Sequence, residues 1–166
     1  GPTSRTDARH SGTITAVWSW RGFSIAPFYI FKSPLPVSIT EGLDTNLNGE
    51  RNDLPAKAYQ FAGVGKAPKE IGACETWNCG RGAWRTQFNL RVAKAFTFNV
   101  AGKTPRIEAI GEVFNLFNAS NPSGFVATRL LGTGAANPNF LQPTSFSGDF
   151  QQPEQRVGQI GFRISF

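Results

Sequence analysis

The sequence has little of several residue types, and each shortage excludes a class of protein. Its 166 residues include no methionine, one histidine and two cysteines, and only 17% are charged, compared with roughly 25% in an average soluble domain. The lone histidine, His10, has no accompanying serine or cysteine nucleophile motif, so Ser/His/Asp chemistry is not expected. We therefore predict that the chain is not an enzyme.

Long runs of one residue class are also missing. No window approaches the roughly 18 consecutive apolar residues of a transmembrane helix. The 17 lysines and arginines are scattered, so the net charge of +6 does not indicate nucleic-acid binding. No apolar segment follows residues 1–5 as in a signal peptide. This indicates a protein that is not exported, or one whose N-terminus was removed or belongs to a longer precursor.

The residues that are abundant favour β-structure. The chain has 15 phenylalanines, 18 glycines and 11 prolines; aromatic residues suit pleated sheets, whereas glycine and proline interrupt helices. Cys74 and Cys79 lie in one polar segment without a nearby histidine. Two such residues cannot complete a four-ligand zinc site, so we predict a local disulfide. A disulfide implies an oxidising compartment.

Apolar and polar residues alternate with the period of a half-buried strand in five segments. Short links alternate with long polar stretches, 33–84 and 118–155, for which we predict no regular structure. Unstructured loops of this length are unusual in compact soluble domains. They are typical of outer-membrane barrels, in which turns are short on the periplasmic side and long outside. We therefore predict an all-β fold, an antiparallel meander of about five strands that forms the C-terminal part of a larger transmembrane β-barrel. The predicted strands are 12–20, 23–32, 85–98, 105–117 and 156–166.

Charged residues occur inside the alternating segments as well as at their ends. If 85–98 and 105–117 pair around a turn near Val100, Arg91 lies opposite Glu112, and pairing with the last segment brings Glu108 near Arg163. Such cross-strand pairs stabilise a sheet modestly. We predict a charge ladder on the lumen face of a barrel wall. One alternative is a soluble β-sandwich binding module. Another is that Glu108 and Glu112 form a catalytic carboxylate pair, but Arg91 and Arg163 would neutralise these glutamates.

The last eight residues read QIGFRISF. The polar Gln159, Gly161, and the hydrophobic Ile164 and Phe166 resemble the final strand of bacterial outer-membrane proteins. That resemblance implies that the barrel assembly machinery recognises this strand as an assembly signal. A terminal aromatic residue also suits the interfacial girdle of a barrel.

A second set of phrases resembles TonB-dependent outer-membrane transporters. The segment EVFNLFN at 112–118, followed by Asn121, is similar to their penultimate strand, and 44–53 and 89–96 resemble the subgroup with carboxypeptidase-regulatory-like domains. The resemblance implies active ligand uptake, with this chain as the C-terminal part of a 22-stranded barrel. The implied partners are outer-membrane lipid, the remaining barrel and plug, and TonB. The long loops are then extracellular and the C-terminus periplasmic. A structural or surface outer-membrane component without transport activity is the alternative.

Two groups in the long stretches have candidate binding roles. Asp44, Asn46, Asn48 and Asp53 have the spacing of oxygen ligands in a calcium loop, but Pro55 stands where an EF-hand has its bidentate glutamate. We favour an Asx-rich turn over a Ca²⁺ site. Three aromatic residues are expected to pack within the loops more than to stack on a ligand. They are Trp77, Trp84 and Phe125.

Overall fold

The computed structural model describes residues 6–146 and 155–166, which form strands and turns with no helix among them. Accordingly, this part of the chain has no helix that is long and apolar enough to cross a membrane. The prediction of an all-β protein with antiparallel strand pairing is confirmed, apart from one parallel pairing between the short strands Lys57–Gln60 and Gly80–Arg81. The strands are β1 (Ser11–Thr15), β2 (Trp18–Trp20), β3 (Phe23–Lys32), β4 (Pro36–Val37), β5 (Lys57–Gln60), β6 (Lys69–Ala73), β7 (Gly80–Arg81), β8 (Arg85–Thr97), β9 (Arg106–Phe114), β10 (Pro122–Phe125), β11 (Pro143–Phe146) and β12 (Val157–Ser165).

The chain divides into two compact units. The sheet unit consists of Gly12–Phe31, Thr86–Ser120 and Gly148–Phe166. The loop unit consists of Gly1–Ser11, Lys32–Arg85 and Asn121–Ser147. Each unit is therefore assembled from three separate stretches of sequence.

The sheet unit contains one sheet in the order β1-β3-β8-β9-β12, with β2 also paired to β3. Within the described residues the sheet does not close on itself, because it ends at β12 on one side and at β1 and β2 on the other. The predicted first strand is divided into β1 and β2, and β3 has the predicted bounds. β9 ends at Phe114, earlier than predicted, because Asn115 adopts a left-handed backbone conformation with φ 49°.

Two-residue turns join neighbouring strands at one end of this sheet. Arg21 and Gly22 have φ values of 47° and 79°, and Ala101 and Gly102 have φ values of 51° and 75°. Two consecutive positive φ values define the type I′ turn, whose twist matches that of an antiparallel hairpin. Both short connections that the sequence predicted are therefore tight hairpin turns.

The loop unit corrects the prediction that 33–84 and 118–155 lack regular structure; of the second range, 147–154 lie outside the described residues. β4, β7, β5 and β6 form a four-stranded sheet, and β10 pairs antiparallel with β11. Ile39 and Leu141 are completely buried at the centre of a hydrophobic core. The strands are too short for their alternation to be visible in the sequence, and the core joins residues about a hundred positions apart. The other buried core members are Ala58, Cys74 and Phe140.

Candidate functional surfaces

One face of β8, β9 and β12 is apolar along most of its length. The observed register aligns Leu90 with Val113 and Val92 with Gly111. On β12, alternate side chains on this face are largely exposed. Their exposed fractions are 81% for Ile160, 72% for Phe162, 58% for Ile164 and 100% for Phe166. Contiguous exposed apolar surface of this kind marks a site of contact with another apolar phase or partner.

The opposite face carries the charged residues, in the register that the sequence predicted. Arg91 is paired with Glu112, and their Nη1 and Oε1 atoms are 3.3 Å apart. Arg163 lies directly across from Glu108. Glu112 also accepts a hydrogen bond from the side-chain amide of Gln159. The two glutamates that could have formed a catalytic carboxylate pair therefore each face an arginine on a neighbouring strand.

The four residues of the predicted assembly signal divide between the two faces of β12. Gln159 and Gly161 align with Glu112 and Ile110 on the charged face. Ile164, aligned with Ile107, continues the apolar row towards Phe166 at the chain end. The strand therefore presents the alternation that a membrane-facing strand requires.

Comparison of the chain with protein-family models, curated proteins and solved structures gives no match.

The FNLFN phrase forms a tight turn that ends β9. Asn115 is 1% exposed, and its side chain bonds both the amide and the carbonyl of Ala119. Its backbone amide donates to Oδ1 of Asn89 in β8. Asn118, with φ 51°, accepts a hydrogen bond from the backbone amide of Arg156. Asparagine tolerates the left-handed conformation and can close turns with its side chain, so both asparagines of the phrase have structural roles.

The contribution of Asn89 to this turn was not recognised from sequence. Its side chain accepts at Oδ1 from the Asn115 amide, at 2.9 Å, and from the side-chain amide of Gln87. A polar residue in a strand gives no signal of such a contact, because its partner is 26 residues away.

The candidate calcium residues form a dense network of turns. Oδ2 of Asp53 accepts hydrogen bonds from the backbone amides of Thr45 and Asn46 and from the Thr45 hydroxyl. Asp44 accepts from the backbone amides of Asn48 and Gly49. The side-chain oxygens thus point to backbone N–H groups of the same loop, as in Asx turns. Within the described residues no three His, Cys, Asp or Glu side chains are grouped to hold a metal ion.

This network affects the titration of Asp53. Hydrogen bonding by the Thr45 hydroxyl is the largest cause that lowers the pKa of Asp53 below its ordinary value of 3.8, and the amides of Asn46 and Thr45 lower it further, against the opposing effect of desolvation. Hydrogen bonds to the charged form favour that form. Asp53 is consequently ionised whenever the loop is folded near neutral pH.

The predicted disulfide is present between Cys74 and Cys79, whose Cα atoms are 5.3 Å apart. It connects the end of β6 to the start of β7. Within this segment Asn78 has φ 62°, and its side chain accepts a hydrogen bond from Ser38. Trp77 is 46% exposed at the loop surface.

The other aromatic candidates differ in burial. Trp84 is about half exposed. Phe125 packs against the loop-unit core and lies 5.3 Å, centroid to centroid, from the Phe61 ring. Packing is therefore the role observed for Phe125, whereas the two tryptophans present ring surface.

The loop unit also contains a cleft of about 760 Å³ that sequence reasoning did not predict. Tyr59, Phe140, Arg129 and Gln142 contribute to its lining. Arg129 donates from Nε to Oε2 of Glu41 at 2.7 Å and from Nη2 to Oε1, which makes the ion pair bidentate. Its pKa is raised by this hydrogen bonding. The pair joins residues 88 positions apart, so no local pattern could reveal it.

His10 takes part in a backbone contact. Its amide donates to Oγ of Ser33 at 3.0 Å, and its carbonyl accepts from the Ser33 amide. The Ser33 hydroxyl therefore bonds the backbone of His10, which is a strand-end contact and gives no nucleophile–base geometry.

Proposed function

We propose that this chain forms the C-terminal wall of an outer-membrane β-barrel, and that the barrel belongs to a TonB-dependent receptor for active ligand uptake. The observation that carries the proposal is the division of β12 into an exposed apolar face and a charged face. The charged face then lines the lumen and the apolar face contacts lipid. The long loops are extracellular and the C-terminus is periplasmic.

The exposed apolar side chains support a hydrocarbon environment. Burying one large apolar side chain contributes roughly 1.5–3 kcal/mol relative to leaving it in water. Three alternate positions of β12, Ile160, Phe162 and Ile164, remain exposed, and so does Phe166 directly after the strand. In a bilayer these side chains gain this free energy, while Arg91, Glu108, Glu112 and Arg163 keep water or ionic partners on the other face.

The open edges of the sheet support a larger barrel. An unsatisfied backbone group in hydrocarbon costs several kcal/mol, so a sheet in a membrane must close. Within the described residues β12 has a neighbour on one side only. The proposal therefore requires further strands, about 17 for a 22-stranded barrel, together with a plug and a TonB-binding segment. The gene sequence preceding the codon for Gly1 should encode them.

The transport role is supported by the FNLFN turn and by the folded loop unit. The turn fixes where β9 ends, through Asn115 and Asn118. The loop unit supplies a cleft and exposed tryptophan surface, which are features of a ligand-capturing surface. Movement of the plug driven through TonB would then carry the ligand inward.

Adjacent residues on β12 provide a matched test of the two-faced wall. Single cysteines replace Phe162 or Arg163 in the intact protein in isolated outer membranes. We expect a water-soluble maleimide to label Arg163→Cys and to leave Phe162→Cys largely unmodified. A spin-labelled lipid should quench a fluorophore at position 162 and not at 163.

A second pair on β9 provides the control. Ile107→Cys should behave as Phe162→Cys does, because Ile107 is aligned with Ile164 on the same apolar face. Glu108→Cys should behave as Arg163→Cys does, because these two residues are aligned on the charged face. Equal labelling of both faces, or lipid quenching at position 163, would contradict the proposal. Protection of position 162 without lipid quenching would favour a soluble β-sandwich.

A further inference from the structure

One cation interrupts the apolar face of the sheet unit. Lys94 is aligned with Ala109, which is itself aligned with Phe162. Its neighbours along β8 on the same face are Val92 and Phe96. Among the residues of β8, β9 and β12 on this face, Lys94 alone is charged. A charge on the lipid-facing side of a barrel is unfavourable at mid-membrane and tolerated near an interface.

Lys94 is located close to the short-turn end of the sheet. Its ammonium group donates to the backbone carbonyl oxygen of Arg21 at 2.7 Å. The same group lies 3.9 Å from the ring centroid of Phe23 and 5.8 Å from that of Phe96. The carbonyl of Gly22 accepts a hydrogen bond from the Ala95 amide, which holds the turn beside β8.

A second cation belongs to the same cluster. The guanidinium carbon of Arg21 lies 4.9 Å from the ring centroid of Trp20. Trp18 and Trp20 are on one face of β2, stacked with centroids 6.3 Å apart, and both are about half exposed. Cations on aromatic rings gain a favourable quadrupole interaction while their polar N–H groups remain available to an anion.

The charge of this end of the sheet is of one sign. No aspartate or glutamate occurs in residues 12–23, 94–107 or 160–166. Glu108, the first acid beyond the second segment, is aligned with Arg163 and Ala95 on the opposite face. The cations in these three segments are Arg21, Lys94, Lys103, Arg106 and Arg163.

We propose that Lys94 and Arg21 bind the headgroup phosphate of an anionic phospholipid at the short-turn boundary of the membrane. The inference rests on the proposed function, because it requires the apolar face to contact lipid. An ammonium offers three donors and a guanidinium a planar fork that matches a phosphate. The long lysine stem lets its charge reach the interface from an apolar row.

The surrounding rings favour a lipid over free phosphate. Exposed tryptophan and phenylalanine side chains suit the membrane interface, where one part of the ring is apolar and the other wet. An inorganic phosphate ion would contact only the two cations. A phospholipid also places acyl chains along the apolar rows that continue from Lys94 to Val92 on β8 and from Phe162 to Ile160 on β12, away from the short turns.

The test uses the intact protein in vesicles, with Trp77→Phe and Trp84→Phe introduced so that Trp18 and Trp20 are the reporters within residues 1–166. A variant that also carries Trp18→Phe and Trp20→Phe gives the background from tryptophans elsewhere in the protein, which is subtracted. Brominated phosphatidylglycerol is compared with brominated phosphatidylcholine as a fluorescence quencher. We expect phosphatidylglycerol to be preferred, and each cation to contribute about fivefold to the relative affinity. The preference should be lost in Lys94→Gln/Arg21→Gln and retained in Lys94→Arg.

Two controls separate the explanations. Lys69→Gln removes one positive charge from the loop unit and should leave the preference unchanged. Excess inorganic phosphate should reduce the preference for phosphatidylglycerol no more than chloride does at equal ionic strength. Specific competition by phosphate would indicate a site for a soluble anion and overturn the lipid assignment. An equal preference for phosphatidylglycerol in the parent protein and in the double variant would overturn the headgroup site but not the membrane proposal. Absence of quenching by either brominated lipid would overturn both.

Discussion

Arg91 and Glu112 face each other across β8 and β9, with 3.3 Å between Nη1 and Oε1. Gln159 binds the other carboxylate oxygen of Glu112 from β12. The carboxylate thus joins three adjacent strands on the charged face. A side chain that is only partly exposed, as that of Glu112 is, loses less to solvent screening than a fully exposed one.

A double-mutant cycle should detect this pair. Arg91→Ala, Glu112→Ala and the double variant in the intact protein are compared by urea unfolding. We expect a coupling energy of about 0.5 kcal/mol, modest because the Arg91 side chain is about half exposed. Added salt should reduce the coupling. Additive effects of the two substitutions would show that the contact contributes nothing to stability.

The Arg21-Gly22 turn should be more sensitive to an added methyl group than the Ala101-Gly102 turn. Gly22→Ala and Gly102→Ala both place alanine at a positive φ, which costs about 1 kcal/mol. A Cβ at position 22 would also approach the Ala95 carbonyl oxygen to 2.9 Å, whereas nothing lies within 4 Å at position 102. Urea unfolding should rank Gly22→Ala as the less stable variant. Equal losses would exclude the close contact as a cause.

The final residue should matter for membrane assembly. Deletion of Phe166 or Phe166→Ala removes the aromatic side chain that ends the apolar row of β12. We expect less heat-modifiable folded protein in the outer membrane, as measured by gel migration without boiling. Ser165→Ala, on the charged face, is the matched control and should assemble normally. Normal assembly of both Phe166 variants would count against the assembly signal.

Removal of the disulfide should destabilise the loop unit. Cys74→Ser/Cys79→Ser opens a ring closed over a sequence separation of 5, and chain entropy alone predicts a loss of about 2 kcal/mol. Burial of Cys74 in the core adds to the effect. Limited proteolysis should cut near Trp77 faster in the variant. Unchanged cleavage would mean that the hydrophobic core holds this segment without the covalent link.

The 44–53 loop should loosen in acid. The folded-state pKa of Asp53 is lowered, so its stabilising effect is complete above the ordinary value of 3.8 and disappears as pH falls below 3.8 through the lowered value. Hydrogen exchange of the Thr45 and Asn46 amides, corrected for intrinsic pH dependence, should show this loss. Asp53→Asn should weaken protection at neutral pH. Protection that does not change down to complete protonation would contradict the role of Asp53.

The same exchange experiment tests calcium. If Asp44, Asn46, Asn48 and Asp53 bind Ca²⁺, added calcium should protect the loop from exchange and from protease. The hydrogen-bond network predicts little change, because these side chains already accept bonds from the loop backbone. Strong protection by calcium at micromolar concentration would favour the metal site over the Asx-rich turn.

Sequence reasoning was accurate where structure is local and periodic. The bounds of β3 and the alignment of Arg91 with Glu112 follow from alternation and from the length of one turn. It was inaccurate where contacts are distant. The Glu41–Arg129 ion pair joins residues 88 positions apart. The segments that contribute the loop-unit core are too short to show a helical or strand period in the sequence.

The position of Lys94 illustrates a different limit. Lys94 lies in the apolar row of β8, and a single lysine between Val92 and Phe96 carries no local signal of function. Its contacts with the Arg21 carbonyl and the Phe23 ring depend on how β3 pairs with β8. The candidate site around Lys94 therefore forms only when strands far apart in sequence pair, and in the sequence Lys94 is merely an exception to the alternation.

The core of the loop unit also constrains the order of folding. Ile39 lies in the stretch before β8, and Phe140 and Leu141 lie in the stretch after β9. The polypeptide must therefore be synthesised through both strands before Ile39 can meet its partners. Until then the first stretch exposes hydrophobic surface that has no partner, and such surface makes a folding intermediate prone to aggregation.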